Sequence, residues 1–328
     1  MNVPGQPARR VLLCGERAFA ARGLGEALRK DGCSVTGFSR GEPGRIGETV
    51  NGAADQIHLN AYLYSTYDTV VNFIVLKGRD RQENLAYLRS LLSMCKDHSV
   101  KHLVHISSMS VYPDGAGLIT ERTAVRNDPT KPPFTYADLK TATDAYLRQH
   151  VPAELRLSLL RPAYILGEGM DDPIGSIGRV ISAERLLVLG RPNRPRPLIS
   201  RSVLHAALRR LVQQPPREHQ EVLLMVDPAS PSCLDYLQKC CESLGVARSA
   251  ASLPLFMWVP CYLAHERERK GASFSYGRFL RGVFARSQLQ HYDPGWTEGR
   301  LGMSLRSNWQ ADLLRQRHDG PTEAGGGS

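Results

Sequence analysis

The sequence predicts an α/β fold, a doubly wound parallel sheet with helices on both faces and a smaller, discontinuous C-terminal domain. Three observations predict it. Short apolar runs alternate with helix-spaced segments through the first half of the chain. The run Tyr67 to Val75 (YDTVVNFIV) is continuously apolar, as a strand buried on both faces must be. Beyond Gly167 the alternation breaks into pieces punctuated by glycine and proline, and a strand-like run returns at Glu221. A chain of 328 residues exceeds the size at which one core stops growing, which suits two domains.

Taken in order, Arg10 to Cys14 is apolar and stops at Gly15; Leu24, Ala27 and Leu28 then recur at helical spacing up to Gly32. Cys33 to Phe38 alternates as a second strand ending in Ser39 and Arg40, which closes a βαβ unit. After the Tyr67 strand come a helix from Asp80 to Asp97, a strand over Lys101 to Ser107, a helix around Tyr136, and a strand within Leu155 to Ile165. Gly175, Gly178 and Gly190, with Pro173, Pro192, Pro195 and Pro197, predict a loop-rich insertion. Val203 to Val212 reads as a helix, Glu221 to Val226 as a strand and Leu234 to Leu244 as a helix, so the sheet is expected to resume. The expected boundaries are 1–167 plus 198–227 for the sheet domain and 168–197 plus 228–318 for the smaller one. Residues 319–328 are expected to form a polar, glycine-rich tail or linker.

The 42 Lys and Arg against 32 Asp and Glu leave a charge of +10, which favours anionic ligands such as phosphates and nucleotides. The basic residues are scattered, with clusters at Arg191 to Arg201 and His265 to Lys270. Without a long basic run or an aromatic-basic repeat, nucleic-acid binding is not expected. Seven cysteines include adjacent Cys240 and Cys241 but no CxxC pair, so reduced thiols are expected, with neither a disulfide framework nor a metal site. The apolar stretch Leu253 to Ala264 is too short to span a bilayer; it reads as a packed loop or short helix, with shallow membrane contact as the alternative. Arg9 and Arg10 precede a short strand rather than the apolar segment of a secretory signal, and a cytoplasmic location is expected.

Three stretches carry chemistry. Phe134 to Lys140, FTYADLK, sets Tyr136 and Lys140 four residues apart, on one face of a helix, where the ammonium is expected to lower the phenol pKa. The segment His105 to Gly115, HISSMSVYPDG, places Ser108 at a strand end, with Ser107 beside it. Between the first strand and helix, the turn GERAFAARG starts at Gly15. Such a turn lets backbone approach a pyrophosphate, aided by the helix N-terminus. Against the spacing GxxGxxG, Gly15 keeps the first position while Ala18 and Ala21 stand at the second and third.

With these motifs the chain resembles the extended short-chain dehydrogenase/reductase family of the NAD-dependent epimerase/dehydratase type, with a degenerate glycine-rich loop. The resemblance implies a Rossmann-type sheet domain, a smaller substrate domain, and Ser108, Tyr136 and Lys140 as the catalytic set. Tyr136 would be the general acid or base, Lys140 would also hold the nicotinamide ribose, and Ser108 would orient the substrate oxygen. The cofactor would lie against Gly15, Arg17, Ala18, Phe19, Ala20 and Ala21, with Asn72 and Phe73 at the end of the Tyr67 strand. Arg17 and Arg40 suit a ribose 2′-phosphate, making NADP the preferred cofactor and NAD the alternative. On the substrate side the resemblance points to Ser108, Ser110, Tyr164 and Arg196, the arginine meeting a nucleotide diphosphate. Asn84, Glu121 and Arg161 match scaffold positions.

Met109 and Ser110 replace the acidic pair of sugar-nucleotide 4,6-dehydratases, which argues against that reaction. Epimerisation or net reduction of a nucleotide-linked sugar is expected, by a homodimer paired through the helices carrying Asn84 and Tyr136. Two alternatives stay open: reduction of a non-sugar ketone, or a noncatalytic nucleotide-sensing or scaffold protein, the latter motivated by Ala18, Ala21 and the bulky NFIV segment.

Overall fold

The computed structural model describes residues 8–60, 63, 66–76, 80–115, 117–127, 135–170, 174, 177–182, 185–189, 191–243, 249–252 and 289–315. Phe134, Pro173, Gly175, Gly190, the apolar stretch from Leu253, the basic cluster from His265 and the C-terminal tail lie outside the described residues.

The parallel sheet expected from the sequence is present. It contains β1 (Arg10–Cys14), β2 (Ser34–Arg40), β3 (Gly44–Ile46), β4 (Thr49–Gly52), β5 (Thr69–Asn72), β6 (His102–Ile106), β8 (Arg156–Pro162) and β13 (Gln220–Met225). Their order is β13-β8-β6-β5-β1-β2-β4-β3, and every pairing is parallel except β3 with β4. The chain runs outward from β1 in both directions, so the carboxyl ends of β1 and β5 form a switch point where a ligand crevice opens.

Side-chain alternation supplies both faces. Leu12 and Val70 join α2 (Arg81–Asp97) and α3 (Tyr136–His150) in one core, through Tyr87, Leu88, Leu91 and Leu147. Val11, Leu13 and Val71 point the other way, to Leu24 and Leu28 of α1 (Leu24–Lys30) and to Leu204, Leu208 and Leu211 of α4 (Arg201–Gln213). Both α2 and α3 begin in capping boxes, Asp80 with Glu83 and Thr135 with Asp138, which satisfy N-terminal amides and place the first helical residue. For α3 that residue is Tyr136.

The region after Gly167 departs from the loop-rich expectation. β10 (Gly178–Ser182) and β11 (Arg185–Val188) pair antiparallel, and β14 (Ser249–Ser252) adds to β11 in parallel. β9 (Tyr164–Leu166) pairs with β12 (Leu198–Ser200). These strands, α5 (Cys233–Ser243) and the helix Trp309–Arg315 enclose a third core that includes Leu166, Leu186, Val188, Leu198, Tyr236 and Leu237. The strands are three to five residues long, and β14 and the β9–β12 pair join segments distant in sequence, so local periodicity conceals them. The β3–β4 hairpin was likewise invisible: Gly44, Gly47 and Gly52 punctuate it without a clear apolar alternation. The remaining strands, β7 (Leu118–Ile119) and β15 (His291–Tyr292), form a small parallel pair. Among the described residues no helix is long and apolar enough to cross a membrane.

Candidate active site

Ser108 and Tyr136 meet at the carboxyl end of β6. Ser108 is extended (φ −161°, ψ 149°) and caps the short 3-10 turn Met109–Val111, its Oγ accepting from the Ser110 N–H at 3.1 Å. The Ser108 hydroxyl also lies near enough to the Tyr136 phenol to pull its pKa down. Tyr136, at the start of α3, remains 44% exposed, which leaves its ring open to the crevice. Lys140, one turn further along, is 3% exposed, and its Nζ donates to the Ile106 carbonyl at 2.6 Å. The same Nζ stands 5.9 Å from the Tyr136 ring centroid.

The expected depression of the phenol pKa is not found in this geometry. Burial of the hydroxyl end pushes Tyr136 above its ordinary value; the Ser108 hydroxyl opposes the rise and the nearby Asp144 charge adds to it. The ammonium is directed at the Ile106 carbonyl and the face of the ring, which accounts for its weak hold on the phenol oxygen.

Behind this pair lies a buried charge network of which the sequence points only to Arg161, as a scaffold position. Asp144 continues the Tyr136 and Lys140 stripe by one more helical turn, and its Oδ2 accepts from Arg161 Nε at 3.1 Å. Arg161 Nη1 donates to the Tyr112 hydroxyl at 3.1 Å, with the guanidinium 5.0 Å from the Tyr112 ring centroid. Burial raises the Asp144 pKa, while Arg161, the Ser107 hydroxyl and Lys140 pull it down. The same spacing of four that joined Tyr136 to Lys140 was the available signal for Asp144.

The glycine turn is rebuilt relative to expectation. Gly15 has φ +81°, and a Cβ there would come within 3.0 Å of Ile74 Cγ1 and 3.4 Å of Phe73 Cβ, so glycine is required twice over. Ala18 and Ala21 avoid positive φ, because the chain closes through Ala18 N–H to Gly15 O and Ala21 N–H to Ala18 O, each 2.9 Å. α1 starts at Leu24, after Gly23 in the left-handed region, where the helical spacing of Leu24, Ala27 and Leu28 places it. Phe73 packs against Gly15.

Asn72 is fully buried and faces inward: its Nδ2 meets His105 Nδ1 at 2.9 Å, and its Oδ1 accepts from the Tyr87 hydroxyl at 2.6 Å and the Ile74 N–H at 3.0 Å. Its side chain therefore builds the floor rather than presenting a free group. Arg17 and Arg40 are exposed, in the turn and at the end of β2, and neither has a hydrogen-bond or ion-pair partner among the described residues. Glu16, which the sequence reading did not single out, bonds to Thr49 and lies over Gly37, where any Cβ would collide with its carboxylate. A cavity of about 430 Å³ opens here, lined by Glu16, Arg17, Ala21, Arg22, Arg29 and Thr49 among others.

On the other side, Tyr164 and Arg196 are brought together, the guanidinium 4.1 Å from the Tyr164 ring centroid and 5.7 Å from that of Tyr236. The Ser110 Oγ is buried without a partner among the described residues. Asn84 and Glu121 act as scaffold: Asn84 holds Leu76 and the Asp80 carbonyl, and Glu121 accepts from the Thr297 N–H and hydroxyl.

A turn that only glycine fits, at the carboxyl ends of β1 and β5, with unpaired arginines beside it, matches the needs of a dinucleotide's phosphates. The donor set contains no group of three or more His, Cys, Asp or Glu able to hold a metal among the described residues.

A model of the NAD dependent epimerase/dehydratase family matches residues 11–198. Among solved structures, MoeE5 in complex with UDP-glucose and NAD is 19% identical, covers 94% of this chain and 97% of its own, and has a TM-score of 0.65. UDP-N-acetylglucosamine 4-epimerase from Bacillus cereus is 12% identical over 95% and 99%, with a TM-score of 0.67. The human epimerase family protein SDR39U1 (isoform2) with NADPH is 18% identical over 94% and 99%, with a TM-score of 0.63. At these identities the likeness is one of fold. No curated protein sequence matches the chain significantly.

Proposed function

Because this chain belongs to the NAD dependent epimerase/dehydratase family and is thus a nicotinamide-dependent enzyme, we propose that it transfers hydride at a carbinol or ketone carbon of a nucleotide-linked sugar. The observation that carries this reading is the approach of the Ser108 hydroxyl to the Tyr136 phenol at the mouth of the sheet, with Lys140 buried one turn behind.

In this reading Ser108 and Tyr136 share the substrate oxygen. Ser108 contributes a neutral donor already oriented by the Ser110 amide, so little reorganisation is needed when charge grows on that oxygen. Tyr136 moves the proton. Its raised pKa keeps the phenol protonated at neutral pH, the form that donates to a carbonyl oxygen in reduction. Gly15 to Ala21 and Lys140 would hold the nicotinamide dinucleotide, which when bound supplies or accepts the hydride.

Arg17 and Arg40, exposed and unpaired, support NADP over NAD, since a guanidinium fork suits a ribose 2′-phosphate. Tyr164 with Arg196 supports recognition of a nucleotide diphosphate, because a stacked guanidinium keeps its edge free for phosphate oxygens. We further assign 1–167 plus 198–227 to cofactor binding and 168–197 plus 228–318 to the substrate, in a cytoplasmic homodimer paired through α2 and α3.

Titration with NADPH and NADH, followed by a thermal-shift panel of nucleotide sugars, tests the reading. Binding of a dinucleotide and stabilisation by at least one sugar nucleotide are expected. A protein that binds neither dinucleotide would refute it.

A further inference from the structure

The turn from Gly15 to Gly23 is held at its end by α1, through the Leu24 N–H to the Ala21 carbonyl at 2.9 Å. A second grip comes from α4, far away in sequence. His205 Nε2 donates to the Ala20 carbonyl at 2.8 Å, so the ring carries its proton on Nε2. One turn earlier, Arg201 Nη1 donates to the Glu168 carbonyl at 2.9 Å and reaches the Phe19 carbonyl at 3.4 Å. The Arg201 guanidinium carbon lies 5.1 Å from the Phe19 ring centroid. The Arg201 stem presses on Gly167, where an added Cβ would come within 3.1 Å of Arg201 Cβ, and Arg22 in turn covers Gly169, where an added Cβ would meet its Nη1 at 2.7 Å. Arg201 therefore ties the Gly15–Gly23 turn to the Gly167–Gly169 turn, and His205, on the next turn of the same helix, holds the first of them to α4.

We infer that Arg201 and His205 are positioning residues for the dinucleotide, fixing the Gly15–Gly23 turn to α4, with Arg201 also clamping it to the Gly167–Gly169 turn, so that the Ala20 amide faces the ligand. The peptide unit is planar and trans, so holding the Phe19 carbonyl toward α4 turns the Ala20 N–H away from α4. A loop lacking the usual second and third glycines gains from outside the preorganisation that its own sequence does not supply. Burial keeps His205 neutral, which suits a donor to a carbonyl. This inference rests on the reading of the Gly15 turn as the dinucleotide site.

The full-length protein is titrated with NADPH and NADH by fluorescence, as wild type and as Arg201→Ala, Arg201→Lys, His205→Leu and His205→Gln, with melting temperature recorded in parallel. Loss of about tenfold in affinity is expected for Arg201→Ala and His205→Leu, with partial recovery in Arg201→Lys and His205→Gln, which keep an N–H donor. Folded variants that bind like wild type overturn the clamp while leaving the dinucleotide site intact. A wild type that binds neither dinucleotide overturns both. If the alanine and leucine variants do not fold, the wild type decides: NADPH must slow amide exchange in residues 15–23 and 167–169 together, and protection confined to 15–23 overturns the clamp.

Discussion

Asp144 and Arg161 form an ion pair of 3.1 Å in which the side chains are 2% and 1% exposed, directly behind the Tyr136–Lys140 stripe of α3. A pair so deeply buried contributes little net stability when intact, yet leaves an uncompensated charge if one partner is removed. Asp144 also answers the buried Lys140 charge, and Arg161 carries the network on to Tyr112. The pair thus sets the electrostatic ground on which the candidate proton donor stands.

Asp144→Asn should therefore destabilise the protein by about 3–5 kcal/mol, read by urea unfolding at neutral pH. Removing both partners together, as in Asp144→Asn with Arg161→Met, should cost less than Asp144→Asn alone. A double variant as unstable as the sum of the single ones would show that the two side chains act independently.

Tyr136→Phe should lower turnover by at least about a hundredfold while leaving the melting temperature and dinucleotide affinity near wild type. Steady-state kinetics on any nucleotide sugar that the thermal-shift panel selects provides the check. Retained turnover would exclude the phenol as the proton donor.

Arg40→Ala and Arg17→Ala should each weaken NADPH by about tenfold and leave NADH nearly unchanged, because only the 2′-phosphate addresses these side chains. The ratio of the two dissociation constants is the relevant quantity. Equal losses for both dinucleotides would remove the arginines from cofactor selection.

Stability should fall as pH drops below about 6.5. His102 is fully buried, donates from Nε2 to Ser158, and has its pKa pushed down to about 3, chiefly by burial. The unfolded chain takes up a proton near 6.5 while the folded chain stays neutral until about 3. Between these values the unfolded state binds more protons, so His102 alone removes about 1.4 kcal/mol of stability per pH unit of acidification. His105 and His205 are shifted in the same direction. His102→Gln should flatten the dependence of unfolding free energy on pH in this window; an unchanged slope would assign the loss to other groups.

Periodicity and spacing in the sequence determined the parallel sheet, the two long helices, the Ser108 strand end and the Tyr136–Lys140 face, since each depends on neighbours within a few residues. A continuous apolar run must be buried on both sides, and four residues on a helix must share a face, whatever the rest of the chain does. Tertiary structure alone decided the features that join distant segments. It paired β11 with β14 from some sixty residues away, turned Asn72 inward onto His105 and Tyr87, and paired Asp144 with Arg161. It also fastened an alanine-substituted glycine turn to α4 through Arg201 and His205. Even the sign of the Tyr136 pKa shift belongs to this second group: the sequence places an ammonium nearby, but desolvation and the direction of the Lys140 hydrogen bond decide which effect wins.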